Sequence, residues 1–257
     1  MKAPVDGLLV DLDGVLYVGD QLIPGAVATL HALRARGIPY RFITNTTTLS
    51  AAALCAKLAA FGLPVTVNHL ITAPVATRDY LLREGLTRCY LAVAAEVRAD
   101  FAGIDHDEQR PQAVVMGDIG DAWSYQLLNR LFGYLLDGAR LVAMHRNKYW
   151  QTERGLHVDI GAFVAGLEYA AATEAVVTGK PSPAFFAAAL ASLGIDGDRV
   201  AVVGDDAHSD IGGAQRAGLR GVLVRTGKYR ADLVARSGIV PEWNIASIAE
   251  LHLVMDD

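Results

Sequence analysis

Gly7-Leu8-Leu9-Val10-Asp11-Leu12-Asp13-Gly14-Val15-Leu16-Tyr17 is the stretch that decides the fold. Its first residues are continuously apolar rather than alternating. That is the pattern of a strand covered on both faces, and such strands belong to parallel sheets flanked by helices. The run then breaks on two acids and a glycine. In an open parallel sheet, ligands gather beyond the carboxyl ends of the strands, which is where Asp11 and Asp13 stand. Outward from this stretch the same alternation recurs. Tyr40-Arg41-Phe42-Ile43, His69-Leu70-Ile71-Thr72, Val200-Ala201-Val202-Val203 and Gly221-Val222-Leu223-Val224 read as further strands. Helical stretches over 26–36, 50–61 and about 74–83 lie between the early ones, with Gly37 and Gly62 placed as stops. The expected fold class is α/β, with a doubly wound parallel-sheet core.

At 257 residues the chain is long for one domain and short for two. The surplus sits in the middle, which has strands of its own at Cys89-Tyr90-Leu91-Ala92-Val93, Ala113-Val114-Val115-Met116 and Leu141-Val142-Ala143-Met144. A helix over 124–136 carries the stripe Leu127, Leu128, Leu131 and Leu135, which has the spacing of a buried face. The polar stretch 100–112, with Asp105, Asp107 and Glu108, reads as an exposed loop. These features predict a core over 1–78 and 178–257 and an inserted α/β cap domain over 79–177.

Composition narrows the function. Hydrophobic residues make up 52% and charged ones 20%, enough to bury a core. Lys and Arg total 23 against 28 Asp and Glu, a formal charge of −5, so the basic surplus of a nucleic-acid binder is missing. The apolar runs are shorter than the ~20 residues of a spanning helix, and Met1-Lys2-Ala3-Pro4-Val5-Asp6 lacks the apolar centre of a secretory signal. Cys55 and Cys89 show no zinc spacing and read as free thiols. The expectation is a soluble cytoplasmic protein that contacts neither nucleic acid nor membrane.

Four short segments carry the chemistry. Asp11 and Asp13, on a strand that is ending, can be swung toward one point by Gly14; close carboxylates repel unless a cation or proton relieves them. A hard divalent ion with oxygen ligands does this, and magnesium is the usual ion beside phosphate. Thr44-Asn45-Thr46-Thr47-Thr48 ends the second strand and enters a helix near Ser50, an arrangement that either binds an anion or merely caps the helix. Thr178-Gly179-Lys180-Pro181-Ser182-Pro183 precedes another helix; Pro181 rules out a phosphate loop of the nucleotide-binding type, leaving Lys180 as a surface lysine or as a cation against phosphate. Gly204-Asp205-Asp206, with Asp210 beyond, closes a fourth strand. Each segment alone has an ordinary explanation as a turn or cap. Their order, all at strand ends of one sheet, is far more specific.

That ordered set resembles the haloacid dehalogenase superfamily of phosphohydrolases, and the long insert between the second and third segments resembles its class IIA, NagD-like branch. The likeness extends to 135–139, 163–170, 210–215 and 226–230. The resemblance implies a Rossmann-like core and a magnesium-dependent phosphatase acting on small phosphate esters, and extending to pyrophosphate or phosphoramidates. It makes Asp11 the nucleophile that forms a phosphoaspartyl enzyme and Asp13 the general acid and base. Magnesium falls to Asp11, the main-chain carbonyl of Asp13 and Asp205, with Asp206 and Asp210 behind it. Thr44 and the N–H groups of Asn45 and Thr46 bind the transferring phosphoryl, and Lys180 neutralises Asp11 and phosphate together. Thr46-Thr47-Thr48 departs from the branch's commonest pattern. In the cap, Asn147, Lys148, Tyr149 and Trp150 occupy the position of the specificity loop. The implied partners are a small phosphorylated substrate and a second copy of the chain, as a homodimer. The alternative is a phosphate-binding or receiver-like interaction module with little or no catalysis; Asp13 argues against it, since a receiver has no acid there. The histidines His31, His69, His106, His145, His157 and His252 fit no triad and read as surface or loop residues, while His208 only borders the fourth segment.

Overall fold

Residues 4–63, 65–152 and 155–255 are described by the structure, a computed structural model, without the side chains of 151 and 152. Met1-Lys2-Ala3 of the leader reading lies outside them. The first part of the chain runs through β1 (Gly7–Asp11), a hairpin of β2 (Tyr17–Val18) and β3 (Gln21–Leu22), α1 (Ala26–Ala35), β4 (Tyr40–Thr44), α2 (Ala51–Ala60), β5 (Leu70–Thr72) and α3 (Ala73–Arg83). The middle holds β6 (Arg88–Ala92), β7 (Asp105–His106), β8 (Ala113–Met116), α4 (Tyr125–Leu136), β9 (Arg140–Ala143), β10 (Tyr149–Thr152), β11 (Gly155–Val158), α5 (Gly161–Ala171) and β12 (Val176–Val177). The last part comprises α6 (Pro183–Leu193), β13 (Val200–Gly204), a π-helical turn over Ala207–Gly212, α7 (Gly213–Arg216), β14 (Arg220–Val224), α8 (Ala231–Ser237), β15 (Trp243–Ile245) and α9 (His252–Met255).

The larger sheet is wholly parallel in the order β15-β14-β13-β1-β4-β5. The chain winds outward from β1 through β4 and β5, then returns to continue on the other side through β13. A crevice therefore opens at the carboxyl ends of β1 and β13, the switch point of the topology. Strand alternation explains the unbroken apolar run of β1. Leu8 and Val10 pack with Leu30 of α1 and Leu54 of α2, while Leu9 turns to Phe185 and Phe186 of α6. Both faces are covered, so no position in the strand can be polar until the chain leaves the sheet at Asp11.

The second sheet repeats the plan in the order β12-β9-β8-β6-β7, again all parallel. Val115 and Val142 face Leu81 of α3, whereas Val114 and Leu141 face Leu131 of α4 and Val164 of α5. Its carboxyl end meets that of the larger sheet. The Asp118 N–H, just past β8, donates to Thr47 Oγ1 (2.9 Å), and the Gly179 N–H donates to the Met144 carbonyl just past β9 (2.8 Å).

The chain departs from the expected elements in three places. The stretch 100–112 is only partly an exposed loop: Phe101 and Ile104 are buried, and Asp105–His106 add the edge strand β7 beside β6. Two apolar anchors three residues apart tie this segment to the sheet despite its acids. The expected specificity loop becomes strand at Tyr149, where β10 pairs with β11 in an antiparallel ribbon. A short edge strand, β15, extends the larger sheet beyond β14. Cys55 and Cys89 are free thiols. Among the described residues, no helix is long and apolar enough to cross a membrane.

Candidate active site

β1 delivers Asp11 to the crevice, where its Oδ1 accepts the Leu12 N–H at 2.8 Å and the Lys180 ammonium at 2.8 Å. Lys180 is buried and also donates to Asp210 Oδ1 at 2.7 Å, so it bridges two carboxylates. Asp205, at the end of β13, is enclosed by backbone. Gly14 and Gly227 both have left-handed φ values, 81° and 58°, and a Cβ on either would lie 1.9 or 2.0 Å from Asp205 Oδ2. Only glycine permits that approach. The same oxygen accepts the Lys228 N–H at 2.6 Å. Gly204 similarly leaves room for Asp210, whose Oδ2 accepts the Asp206 N–H at 3.1 Å. The outcome is one cluster in which Asp11, Asp205 and Asp210 each present an oxygen within 4.8 Å of the others.

Electrostatics follow from that crowding. Burial raises the Asp11 carboxyl above its ordinary value, with the Lys180 charge pulling back. Burial lifts Asp205 well above the usual carboxylate range, and Asp11 and Asp210 push in the same direction against Lys228. Asp210 is pushed up to about 7, chiefly by burial, with Lys180 opposing. Lys180 moves upward instead: burial disfavours its charge, but Asp11 and Asp210 outweigh that cost. Three buried carboxylates with hard oxygen donors, held against repulsion by one ammonium, are a donor set that fits a divalent cation such as magnesium.

The threonine loop sits beside this cluster. Thr44 Oγ1 accepts the Thr46 N–H at 3.0 Å and donates to Thr46 Oγ1 at 2.8 Å; Thr46 Oγ1 in turn donates to Asp13 Oδ2 at 3.1 Å. Asp13 is therefore reached through a chain of hydroxyls. Its carboxyl is raised by burial, with the Thr46 hydrogen bond opposing.

Several expected residues take positions of their own. Asp13 lies beside the threonines rather than in the carboxylate cluster. Asp206 directs its Oδ1 to the His208 and Ser209 N–H groups, at 2.8 and 3.0 Å, and so caps the π-helical turn. The Asn45 side chain faces Lys180: its amide donates to the Lys180 carbonyl and accepts the Lys180 N–H, both at 2.8 Å. A side chain that makes these two bonds fixes the lysine's main chain, which motif spacing alone does not reveal. Asn147, Lys148 and Tyr149 line a cleft of about 630 Å³ whose opposite wall includes Pro181, Ser182 and Asp206. Trp150 is outside that lining, its ring edge-on to His157 at 6.1 Å.

His145, expected on the surface or in a loop, does lie in the loop after β9 but is only 3% exposed, which corrects the surface reading. Its Nδ1 accepts the Asn147 N–H at 3.3 Å, and burial and the Lys228 charge lower its pKa to about 3, so the ring is neutral. Buried Asp159 lies 3.9 Å from its Nε2. Lys228, on the loop after β14, was also missed. The family likeness over 226–230 marks the segment without assigning Lys228 a place, which becomes visible only when the fold brings Gly227 against Asp205.

Comparison with known proteins identifies the family. The haloacid dehalogenase-like hydrolase family matches residues 8–106, and a second HAD-like hydrolase family matches residues 177–251. Haloacid dehalogenase-like hydrolase domain-containing protein 2 of Bos taurus is 42% identical over 230 residues, covering 90% of this chain and 88% of that protein. Human phospholysine phosphohistidine inorganic pyrophosphate phosphatase is 37% identical over 234 residues, covering 89% and 86%. The solved structure of NagD from E. coli K-12 superposes with a TM-score of 0.85 at 26% identity, covering 96% of this chain and 98% of its own. Glycerol phosphate phosphatase from Mycobacterium tuberculosis in complex with magnesium also gives 0.85, at 30% identity, covering 98% and 79%. The carboxylates and lysine gathered at the switch point, and the relatives that span nearly the whole chain, place this protein in the haloacid dehalogenase-like hydrolases, within the class IIA, NagD-like branch of phosphatases.

Proposed function

We propose that the chain is a magnesium-dependent phosphohydrolase of small phosphate esters that works through a phosphoaspartyl intermediate. The observation that carries this reading is the Lys180 ammonium locked between Asp11 and Asp210, next to Asp205, at the sheet's switch point. Asp11 and Asp205, with the main-chain carbonyl of Asp13, would hold magnesium, which supplies a Lewis acid that offsets charge between nucleophile and phosphoryl oxygens. Lys180 keeps Asp11 ionised and aimed as the attacking group. Thr44 and the N–H groups of Asn45 and Thr46 would receive the phosphoryl oxygens, Thr44 and Thr46 exchanging their bonds to each other for bonds to phosphate. Asp13, oriented by Thr46 and raised by burial, protonates the departing oxygen and then takes a proton from the hydrolytic water. Because the transition state for phosphoryl transfer is loose, this positioning and charge placement supply most of the acceleration. Asp210 and Asp206 act from behind, by bracing Lys180 and the fourth loop.

The core over 1–78 and 178–257 performs the chemistry in this reading, and the cap over 79–177 selects the substrate through Asn147, Lys148 and Tyr149. Trp150 stiffens the ribbon behind them. The human relative's name extends the candidate bonds to pyrophosphate and to phosphoramidates of lysine and histidine. The reading also includes a cytoplasmic location, a homodimer, and no nucleic-acid or membrane partner. Release of inorganic phosphate from 4-nitrophenyl phosphate, with magnesium and with chelator, tests it. Magnesium-dependent turnover that disappears in Asp11→Asn is the expected result. Absence of metal-dependent turnover on any ester of a broad panel overturns the enzyme reading in favour of a binding module.

A further inference from the structure

The cap lines the 630 Å³ cleft with two strips of chain, the loop residues from Arg146 to Tyr149 and, beside them, Ala175 and Val177. Both strips are fastened from behind to α5. At the start of this helix, the Asp159 N–H donates to the Lys148 carbonyl and the Gly161 N–H to the Asn147 carbonyl, each at 3.1 Å. Gly161 is the first residue of α5, so its N–H has no acceptor within the helix, and the loop supplies one. The fit there is close. A Cβ on Gly161 would lie 2.4 Å from the Asn147 carbonyl oxygen and 2.6 Å from that of Arg146. Both are main-chain atoms, which cannot swing aside as the end of a side chain can. The φ of Gly161 is not left-handed, so the position needs glycine for space alone. Two turns further along α5, Glu168 reaches both strips at once. Its Oε2 accepts the Arg146 guanidinium at 2.7 Å, and its Oε1 accepts the Ala175 N–H at 2.9 Å. Each of these bonds joins cap residues to one another, and none involves Asp11, Asp13, Lys180 or Asp205.

Resting on the reading that the cap selects the substrate, we propose that Gly161 and Glu168 are positioning residues for that selection: through them α5 sets the width of the cleft and so decides which leaving groups fit. They take no part in phosphoryl transfer. Gly161 fixes how far the loop stands from the helix, and Glu168 fixes the spacing of the loop from the strip at Ala175. The cleft holds far more than a phosphoryl group fills, so its walls matter to a leaving group long enough to reach them and not to a compact one. A methyl group on Gly161 needs the loop to move about 1 Å before ordinary contact is restored, a shift large enough to cost affinity for a ligand seated against that loop. Since α5 stands behind the loop, the displacement is toward the cleft and narrows it.

The test compares Gly161→Ala, Glu168→Ala and Glu168→Gln with the wild type on 1-naphthyl phosphate, an extended substrate, and acetyl phosphate, a compact one, at saturating magnesium. In Gly161→Ala, kcat/KM on the naphthyl ester should fall about 10-fold, chiefly through KM, with less than about 2-fold change on acetyl phosphate. Glu168→Ala should lose about 5-fold on the naphthyl ester alone. Glu168→Gln keeps an acceptor for the Ala175 N–H and gives up the ion pair, so it should fall between Ala and wild type. Hydrogen exchange supplies a readout that needs no turnover: in Glu168→Ala the amides of 146–149 and 175–177 should exchange about 10-fold faster, with the strands of the smaller sheet unchanged. Equal losses on both substrates, an unchanged preference in the Glu168 variants, or unchanged exchange in the two strips would each overturn the proposal. Should Gly161→Ala fail to fold, the two Glu168 variants decide it. A wild type inactive on every substrate fails the phosphohydrolase reading instead, and the exchange rates then decide whether α5 holds the cleft wall.

Discussion

The two sheets present their carboxyl ends to each other across one cleft, and they differ in what they place there. The larger sheet ends in Asp11, Asp205 and Asp210, buried and crowded around one ammonium. The smaller sheet ends in Gly117-Asp118, Met144-His145 and Thr178, where the buried polar ring of His145 is neutral and main-chain bonds do most of the work. The strand geometry is the same in both. What distinguishes them is that one end stores electrostatic repulsion for use, while the other is built to dock. Crowded like charges cost stability and are kept where function recovers the cost.

Substitutions at the two ends should therefore act in different ways. Asp11→Asn should lower kcat on an aryl phosphate by about 10⁴-fold or more. In metal-free buffer it should leave the melting temperature unchanged or higher, because a repelling carboxylate is gone; calorimetry with and without magnesium checks this. Asn45→Ala is next. It cuts both bonds to the Lys180 main chain, so kcat should fall about 100-fold through misplacement of the ammonium, with about 2 kcal/mol lost in urea unfolding.

At the end of the smaller sheet, His145 gives a pH-dependent contrast. Its folded pKa of about 3 lies below the unfolded value, so between roughly pH 6.5 and 3 the unfolded chain binds the extra proton. The contribution is complete above about pH 6.5 and is lost as the solution is acidified toward 3. His145→Gln should flatten the fall in stability over that window by up to about 1.4 kcal/mol per pH unit, measured by chemical denaturation at several pH values. The smallest effect belongs to Thr47→Val, which deprives the Asp118 N–H of its acceptor and should cost about 1 kcal/mol. A larger loss there would mean that the docked contact carries more of the stability than a single hydrogen bond.

The sequence made the larger sheet readable because burial on both faces writes a strand as an unbroken apolar run, as in Leu8-Leu9-Val10 and Val200-Ala201-Val202-Val203. Acids at the end of such a run stand out, which made Asp11, Asp13 and Asp205 visible. The edge strand at Asp105–His106 was hidden because two residues are too few to show a period. The ribbon of β10 and β11 was hidden because its described side chains, such as Tyr149, Trp150 and Leu156, are mixed and partly exposed. His145, Lys228 and the side-chain role of Asn45 were illegible for another reason. Each depends on a partner more than 10 residues away or on the other sheet, and one chain read in order carries no sign of such meetings.

Gly179 stands where the two sheets meet. Its N–H is tied to Met144, and a Cβ there would lie 2.4 Å from the Met144 carbonyl oxygen, 2.7 Å from Asn45 Oδ1 and 2.9 Å from the Ala73 side chain. The residue directly before Lys180 is thus gripped by both sheets at once, with no slack for a side chain. A shift of the insert cannot be absorbed by a loose tether at this point; it would be transmitted to the neighbouring lysine, making the alignment of the reacting groups a readout of how the two halves sit together.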